Sequence, residues 1–263
     1  MAEDPLLISR DGSVTTFRLN RPERLNALDP QMHVLLQDAL DAFAADETQR
    51  IGVLCGAGGH FCSGSDLKAA AARRAVGEPP PDMPRAGYAG LIQRFDLDKP
   101  LIAAVDGAAA GGGFEIALAC DLIVATERAR FSLPEPHVGF VAIGGGPHRL
   151  ARQIGLKAAM AMVLTGDAVD ANEGRRLGFV NEVTTIGGLD AAVARWAAAI
   201  LRGAPLAVRA SKQLVMRGLD APTLADAIGD QDGLPALRRW RSSDERAEGG
   251  RAFAEKREPR WRP

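Results

Sequence analysis

Residues 108–122 read AAAGGGFEIALACDL. Three successive glycines run into an apolar pattern of helical spacing that carries one carboxylate, Glu115. Inside a helix a glycine costs about 1 kcal/mol relative to alanine, and an unpaired buried charge costs more. The longest apolar run, about residues 101–125, contains this stretch. It is interrupted by Asp106, Glu115, Asp121 and the glycines, and a membrane span would be penalised heavily for those charges. It reads instead as a buried strand, a turn and a buried helix.

The neighbouring segments repeat that alternation. Residues 14–20 (VTTFRLN) form a half-buried strand pattern. Asp29-Pro30 reads as an N-cap followed by proline at the first helical position, opening a helix over residues 31–46. Residues 51–55 form a buried strand closed by a glycine turn, and residues 101–105 repeat it. A helix is expected from about Phe114, a strand at 122–126 and a short one at 129–133. Strands alternating with helices argue for an α/β fold with a parallel element. Residues 72–90, rich in Pro, Gly and charge, read as a mobile loop or lid. From about Leu189 the chain is nearly all helical pattern, over 189–202, 205–217 and 223–240. This separates a core of residues 1–198 from a C-terminal helical segment, 199–263.

Bulk numbers bound the rest. With 263 residues, 46% hydrophobic and 25% charged, the chain suits an ordinary globular protein. A formal net charge of -1 gives no basic field for nucleic acid or an anionic membrane. Cys55, Cys62 and Cys120 form no CxxC pair and read as reduced, buried residues, which fits the cytoplasm. The start MAEDPLLISRDG lacks the apolar core expected of a signal peptide. Four histidines, His33, His60, His137 and His148, show no metal-ligand spacing, so no metal is expected.

Two glycine-rich turns follow two buried strands, GAGGHFCSGSDLK (56–68) and GAAAGGGFEIALACD (107–121). The spacing fails for a Rossmann turn, a P-loop and a nucleophile elbow. Backbone chemistry remains. Glycines permit close ligand approach to main-chain N–H groups, which are unpaired at a helix start. Two such turns converging would make an oxyanion hole, where losing a donor typically costs about 3–4 kcal/mol. Tight packing is the alternative use of the same glycines.

Glu115 shares a helical face with Leu118, Ala119 and Leu122, so its carboxylate is either paired with a core arginine or functional. A second carboxylate, Glu135, lies between Pro134 and Pro136 in RFSLPEPHVGF (130–140). Pro136 is expected to push it towards an extended conformation. It is either a rigidly held acid–base group or an exposed turn carboxylate. Cys62 has no evident base partner, and His137 stands two residues from Glu135.

Together these segments resemble the enoyl-CoA hydratase/isomerase, or crotonase, superfamily over nearly the whole chain. The matching pieces are NRPERLNALD (20–29), GHFCSGSDL (59–67), AAVDGAAAGGGFEIALACDLIVA (103–125), FSLPE (131–135), GGGPHRLARQIG (144–155), ANEGRRLGFVNEV (171–183) and AFAEKREPRW (252–261). The resemblance implies a ββα spiral core with C-terminal helices that build a homotrimer, often paired into a hexamer. It implies a CoA thioester substrate and no separate cofactor, with the thioester oxygen held by the amides of Ser65 and Gly112. Glu115 would activate water at Cβ and Glu135 would move the proton at Cα, giving reversible hydration of a 2-enoyl-CoA. Segments around Glu23, Arg24 and Leu25, and around Ser63, Gly64, Asp66, Leu67 and Lys68, would meet the CoA. Arg24 and Lys68 are candidates for its phosphates, and Lys256, Arg257, Arg260 and Arg262 form a basic tail. Other reactions on the same enolate are Δ3-Δ2 isomerisation, carnitinyl-CoA-type dehydration and CoA-ester hydrolysis, and a non-catalytic acyl-CoA-binding relative is the alternative of a different class. The stretch 140–144 (FVAIG) and Pro136 depart from the pattern, which reshapes the acyl pocket.

Overall fold

The computed structural model describes residues 4–261; Arg262 of the basic tail and the first residues of the N-terminal stretch lie outside the described residues. Two compact units emerge: one runs to Arg94 and takes in Leu101–Ala194, and the other comprises Phe95–Pro100 and the chain from Arg195 onward.

The first unit is built on strands β1 (Leu6–Asp11), β2 (Val14–Leu19), β3 (Ile51–Gly56), β4 (Leu101–Val105), β5 (Ala108–Ala110), β6 (Leu122–Thr126), β7 (Arg130–Ser132), β8 (Val169–Asp170) and β9 (Glu182–Thr184). A six-stranded sheet has the order β1-β2-β3-β4-β6-β9, parallel except for the β1–β2 hairpin. Every residue of β4 is buried, as expected of a parallel strand covered on both faces. A small sheet, β5-β7-β8, stands apart from it. Its parallel β5–β7 pair sets Ala110 opposite Ser132, so the chain entering the glycine triplet runs beside the chain leading to Glu135.

Helix α1 (Pro30–Ala45) begins as its local chemistry dictates. The Asp29 side chain accepts from the Met32 amide at 2.9 Å, and Pro30 occupies the first turn, where no N–H is needed. Its buried face carries Met32, Leu36, Leu40 and Phe43, and Phe43 meets Phe17 of β2 edge-on at 5.7 Å between centroids. Helices α2 (Leu67–Ala75), α3 (Gly112–Leu118), α4 (Gly146–Ile154), α5 (Leu156–Thr165) and α6 (Ala171–Leu177) follow the strands, and α7 (Leu189–Leu201) runs on into the second unit.

The second unit holds α8 (Pro205–Gly218), α9 (Leu224–Asp230), α10 (Pro235–Arg241) and α11 (Glu245–Ala254). Its apolar centre is Ala210, Ala236 and Leu237 with Leu214, Leu234 and Trp240 against them. Asp98 is buried here between two guanidinium groups, Arg209 at 2.7 Å and Arg239. Among the described residues no single helix is long and apolar enough to cross a membrane.

Three expectations need correction. Residues 72–75 complete α2 instead of opening a loop, and Ala86, Gly87, Ala89 and Gly90 are buried. The helix expected over 223–240 is broken: a 3-10 turn at Gln231–Gly233 intervenes, because Pro235 lacks the N–H a continuous helix needs and starts α10 instead. Glu135 is not extended. It opens a 3-10 turn, Glu135–Val138, in which Pro136 sits at an early position and the His137 amide bonds Pro134 O.

Candidate active site

The two glycine-rich turns are stitched together by backbone. The Cys62 amide donates to Ala108 O at 2.9 Å, the Ala110 amide donates to Cys62 O at 3.0 Å, and Cys62 pairs with Ala109 as a parallel bridge. Cys62 Sγ accepts the Gly64 amide at 3.4 Å, so the thiol holds the turn itself. Gly111 adopts φ +54 and ψ −128, a conformation open essentially to glycine, and its amide is fixed to Ser132 O. This kink directs the chain into α3.

Ser65 and Gly112 are brought together by these turns. A Cβ placed on Gly64 would lie 3.1 Å from the Gly112 nitrogen, and Ser65 is the next residue. Among the described residues neither the Ser65 nor the Gly112 amide donates to a protein acceptor. Backbone bonds lie on either side of Ser65, from the Leu28 amide to Gly64 O and from the Asp66 amide to Leu28 O. Two adjacent, unengaged main-chain donors are what an anionic oxygen requires.

Glu115 is buried, 4% exposed, on the inner face of α3. One carboxylate oxygen accepts the Gly146 amide at 2.9 Å across the start of α4. Gly144 packs against the other: a Cβ there would fall 2.4 Å from Oε2, so no larger residue fits. Burial holds the Glu115 carboxyl above its ordinary range against the pull of the Gly146 amide, and the neighbouring charge of Glu135 adds to the rise. Among the described residues it makes no ion pair. The Arg149 guanidinium stands near enough to favour the charged form, while donating to Ile92 O at 2.7 Å.

Glu135 lies beside the same turn, with its Oε1 2.9 Å from where a Cβ on Gly111 would stand. Its Oε2 is buried with no hydrogen-bond partner among the described residues, and burial raises this carboxyl as well. A desolvated oxygen with no donor is expensive to keep. Two carboxyls with raised pKa therefore stand within electrostatic reach of each other, one on the helix that Gly112 opens and one beside Gly111.

The segments assigned to CoA also meet each other. The Ser63 amide donates to Leu25 O at 3.0 Å, and Ser63 Oγ to Arg24 O at 3.4 Å. Glu23, Arg24, Leu25, Leu67 and Lys68 are exposed. The carboxylate of Asp66 is spent on architecture. It caps α2 through the Ala69 amide, pairs with Arg21 at 3.2 Å, and is held below the usual carboxylate range by those contacts. His137 does not join the carboxylates; its Nε2 donates to Thr165 O at 2.5 Å and ties the Glu135 turn to the end of α5.

Sequence reasoning misses three participants. Gly144 and Gly146 stand in the sequence only as members of a motif, although their lack of side chains makes room for Glu115. Tyr88, from the supposed lid, hydrogen-bonds Ser65 Oγ at 3.1 Å. Nothing local in the sequence announces that contact.

The α/β unit, with its largely parallel six-stranded sheet and its glycine turns bridged at Cys62 and Ala109, has the fold of solved enoyl-CoA hydratases, the crotonase fold. The sequence profile of the Enoyl-CoA hydratase/isomerase family matches residues 9–263, and the chain belongs to that family. It is 38% identical over 263 residues to the carnitinyl-CoA dehydratase of Salmonella heidelberg (strain SL476), covering 98% of each chain. It superposes on an enoyl-CoA hydratase from Mycobacterium marinum with a TM-score of 0.89, 38% identity, and coverage of 98% of this chain and 99% of that one. An enoyl-CoA hydratase from Mycobacterium tuberculosis H37Rv gives 0.89, 35% identity and 99% coverage of both.

Proposed function

We propose that the protein is a hydro-lyase acting on a CoA thioester, adding water reversibly to a 2-enoyl-CoA to give a 3-hydroxyacyl-CoA. The observation that carries this reading is the pair of buried carboxyls, Glu115 and Glu135, beside the unengaged amides of Ser65 and Gly112. The amides donate hydrogen bonds to the thioester oxygen and stabilise enolate charge as it develops. Glu115, steadied by the Gly146 amide, holds the water and takes its proton as oxygen attacks Cβ. Glu135, whose Oε2 has a free lone pair or proton, supplies the proton at Cα. A raised carboxyl pKa suits both roles, since each group must exchange a proton near neutral pH.

The hydratase and dehydratase names of the relatives support one reversible reaction read in two directions. A second reading, dehydration of a carnitinyl-CoA-type ester, is favoured by the Salmonella relative. In both readings CoA is carried by the substrate, through the exposed Arg24 and Lys68 and the two segments beside them, and no other cofactor is used. A trimer or hexamer in the cytoplasm belongs to the same proposal; Ile143 and Leu164, 88% and 68% exposed, are side chains such an assembly would cover.

The test is a panel of CoA thioesters, crotonyl-CoA and a γ-trimethylammonium ester included, followed by mass change. Gain or loss of one water supports a hydro-lyase, and the best substrate selects between the two readings. Release of free CoA, or a double-bond shift without water, overturns both.

A further inference from the structure

Tyr88 lies on a short turn, Tyr88–Gly90, whose backbone is held against its preferences. Gly87, Ala89 and Gly90 all have positive φ, +73, +57 and +58, and Ala89 is fully buried. A non-glycine residue in that region costs about 1–2 kcal/mol. Helix α1 holds the turn in place. Gln37 Oε1 accepts the Ala86 amide at 2.9 Å, His33 Nδ1 accepts the Ala89 amide at 3.1 Å, and the His33 ring packs on Tyr88 at 4.5 Å between centroids. Burial lowers the His33 pKa against the pull of Asp29, which favours the neutral ring whose Nδ1 serves as the acceptor.

The outcome of this anchoring is the position of one oxygen. Tyr88 Oη is 3.1 Å from Ser65 Oγ, and a Cβ added to Gly112 would fall 2.4 Å from it. The phenol oxygen therefore borders both residues that carry the unengaged amides. It accepts from neither amide. Packing against His33 and Gly112 needs only the ring, which phenylalanine supplies. The hydroxyl has Ser65 Oγ as its one partner among the described residues. If Ser65 donates to Oη, the phenol proton remains uncommitted and can turn to an acceptor held by the two amides.

We propose that Tyr88 is a third hydrogen-bond donor to the thioester oxygen, a catalytic residue of the oxyanion site beside the Ser65 and Gly112 amides. This rests on the hydro-lyase reading above. The phenol stays protonated through the cycle: burial raises its pKa well above the usual phenol range, and the nearby Glu115 and Glu135 charges act in the same direction. Because charge on the thioester oxygen grows towards the enolate, the donor strengthens in the transition state more than in the bound substrate.

Tyr88→Phe tests the proposal. It should lower kcat for the preferred ester about 10- to 100-fold, somewhat below the full loss of an oxyanion donor because both amides remain, while butyryl-CoA binding is unchanged. Bound cinnamoyl-CoA supplies the direct readout, since polarising its carbonyl moves the conjugated absorbance to longer wavelength. Wild-type protein should show the red shift and Tyr88→Phe a smaller one. Replacement of Tyr88 by 3,5-difluorotyrosine, a stronger donor of similar size, should enlarge the shift below the lowered phenol pKa. Equal shifts in wild type and Tyr88→Phe, with equal kcat, would overturn the role of Tyr88 alone. No shift in the wild type would overturn the two-amide site and the third donor together.

Discussion

Asp98 and Glu115 are both buried carboxylates, yet their surroundings are opposites. Asp98, 9% exposed, sits between the guanidinium groups of Arg209 and Arg239, and every charge is answered. Glu115, 4% exposed, has backbone amides in a wall of glycine, a like charge nearby and a guanidinium, Arg149, with which it forms no ion pair. The first arrangement satisfies a charge to hold a unit together. The second leaves a charge costly, which is useful only if the proton is to move. The difference separates a carboxylate of architecture from a carboxylate of chemistry.

That contrast is sharpest in kinetics. Glu115→Gln and Glu135→Gln should each lower kcat about 10²- to 10⁴-fold, the usual worth of a positioned acid or base, while CoA-ester binding survives. Steady-state rates on the best ester of the panel check this, and normal turnover by both variants would erase the distinction. Next in size is the opposite experiment. Asp98→Ala removes the buried carboxylate that pairs with the buried Arg209 and the half-exposed Arg239, and should destabilise the protein by about 3–5 kcal/mol, read by urea unfolding, with kcat per folded molecule unchanged.

The smallest effect is a dependence on pH. The folded pKa of Glu115 lies above its ordinary value of 4.5. The folded state therefore binds this proton more tightly than the unfolded state, and the carboxyl subtracts stability as pH rises from about 4.5 through the folded pKa. Glu115→Gln should then gain stability over wild type across that window and hold the gain above it. Denaturation midpoints at pH 5 and pH 8 measure the difference; a gap that shrinks as pH rises would contradict the desolvated carboxyl.

What the sequence made legible is what local chemistry decides. The cap at Asp29, the buried strand 101–105 and the carboxylate on an apolar face all follow from near neighbours, and the structure shows each. Tyr88 is hidden from such reading because its place depends on Gln37 and His33, some fifty residues away, acting on a turn whose composition reads as a loop. Glu135 escapes it for a related reason. The preference of a residue before proline for extended backbone is outweighed by the bonds that close the 3-10 turn, including the Phe140 amide to Glu135 O. Pro235 is a signal the helical spacing masks, since that spacing continues across it.

The three cysteines have a practical consequence. All are buried and none is in a disulfide; burial raises Cys55 to about 11 and Cys62 to about 12. Alkylating reagents, which need a thiolate, will find almost none in the native protein. A single cysteine engineered on the exposed stretch before Ala86 can therefore be labelled selectively with a fluorophore in an otherwise natural background, making movement of that stretch directly observable during turnover.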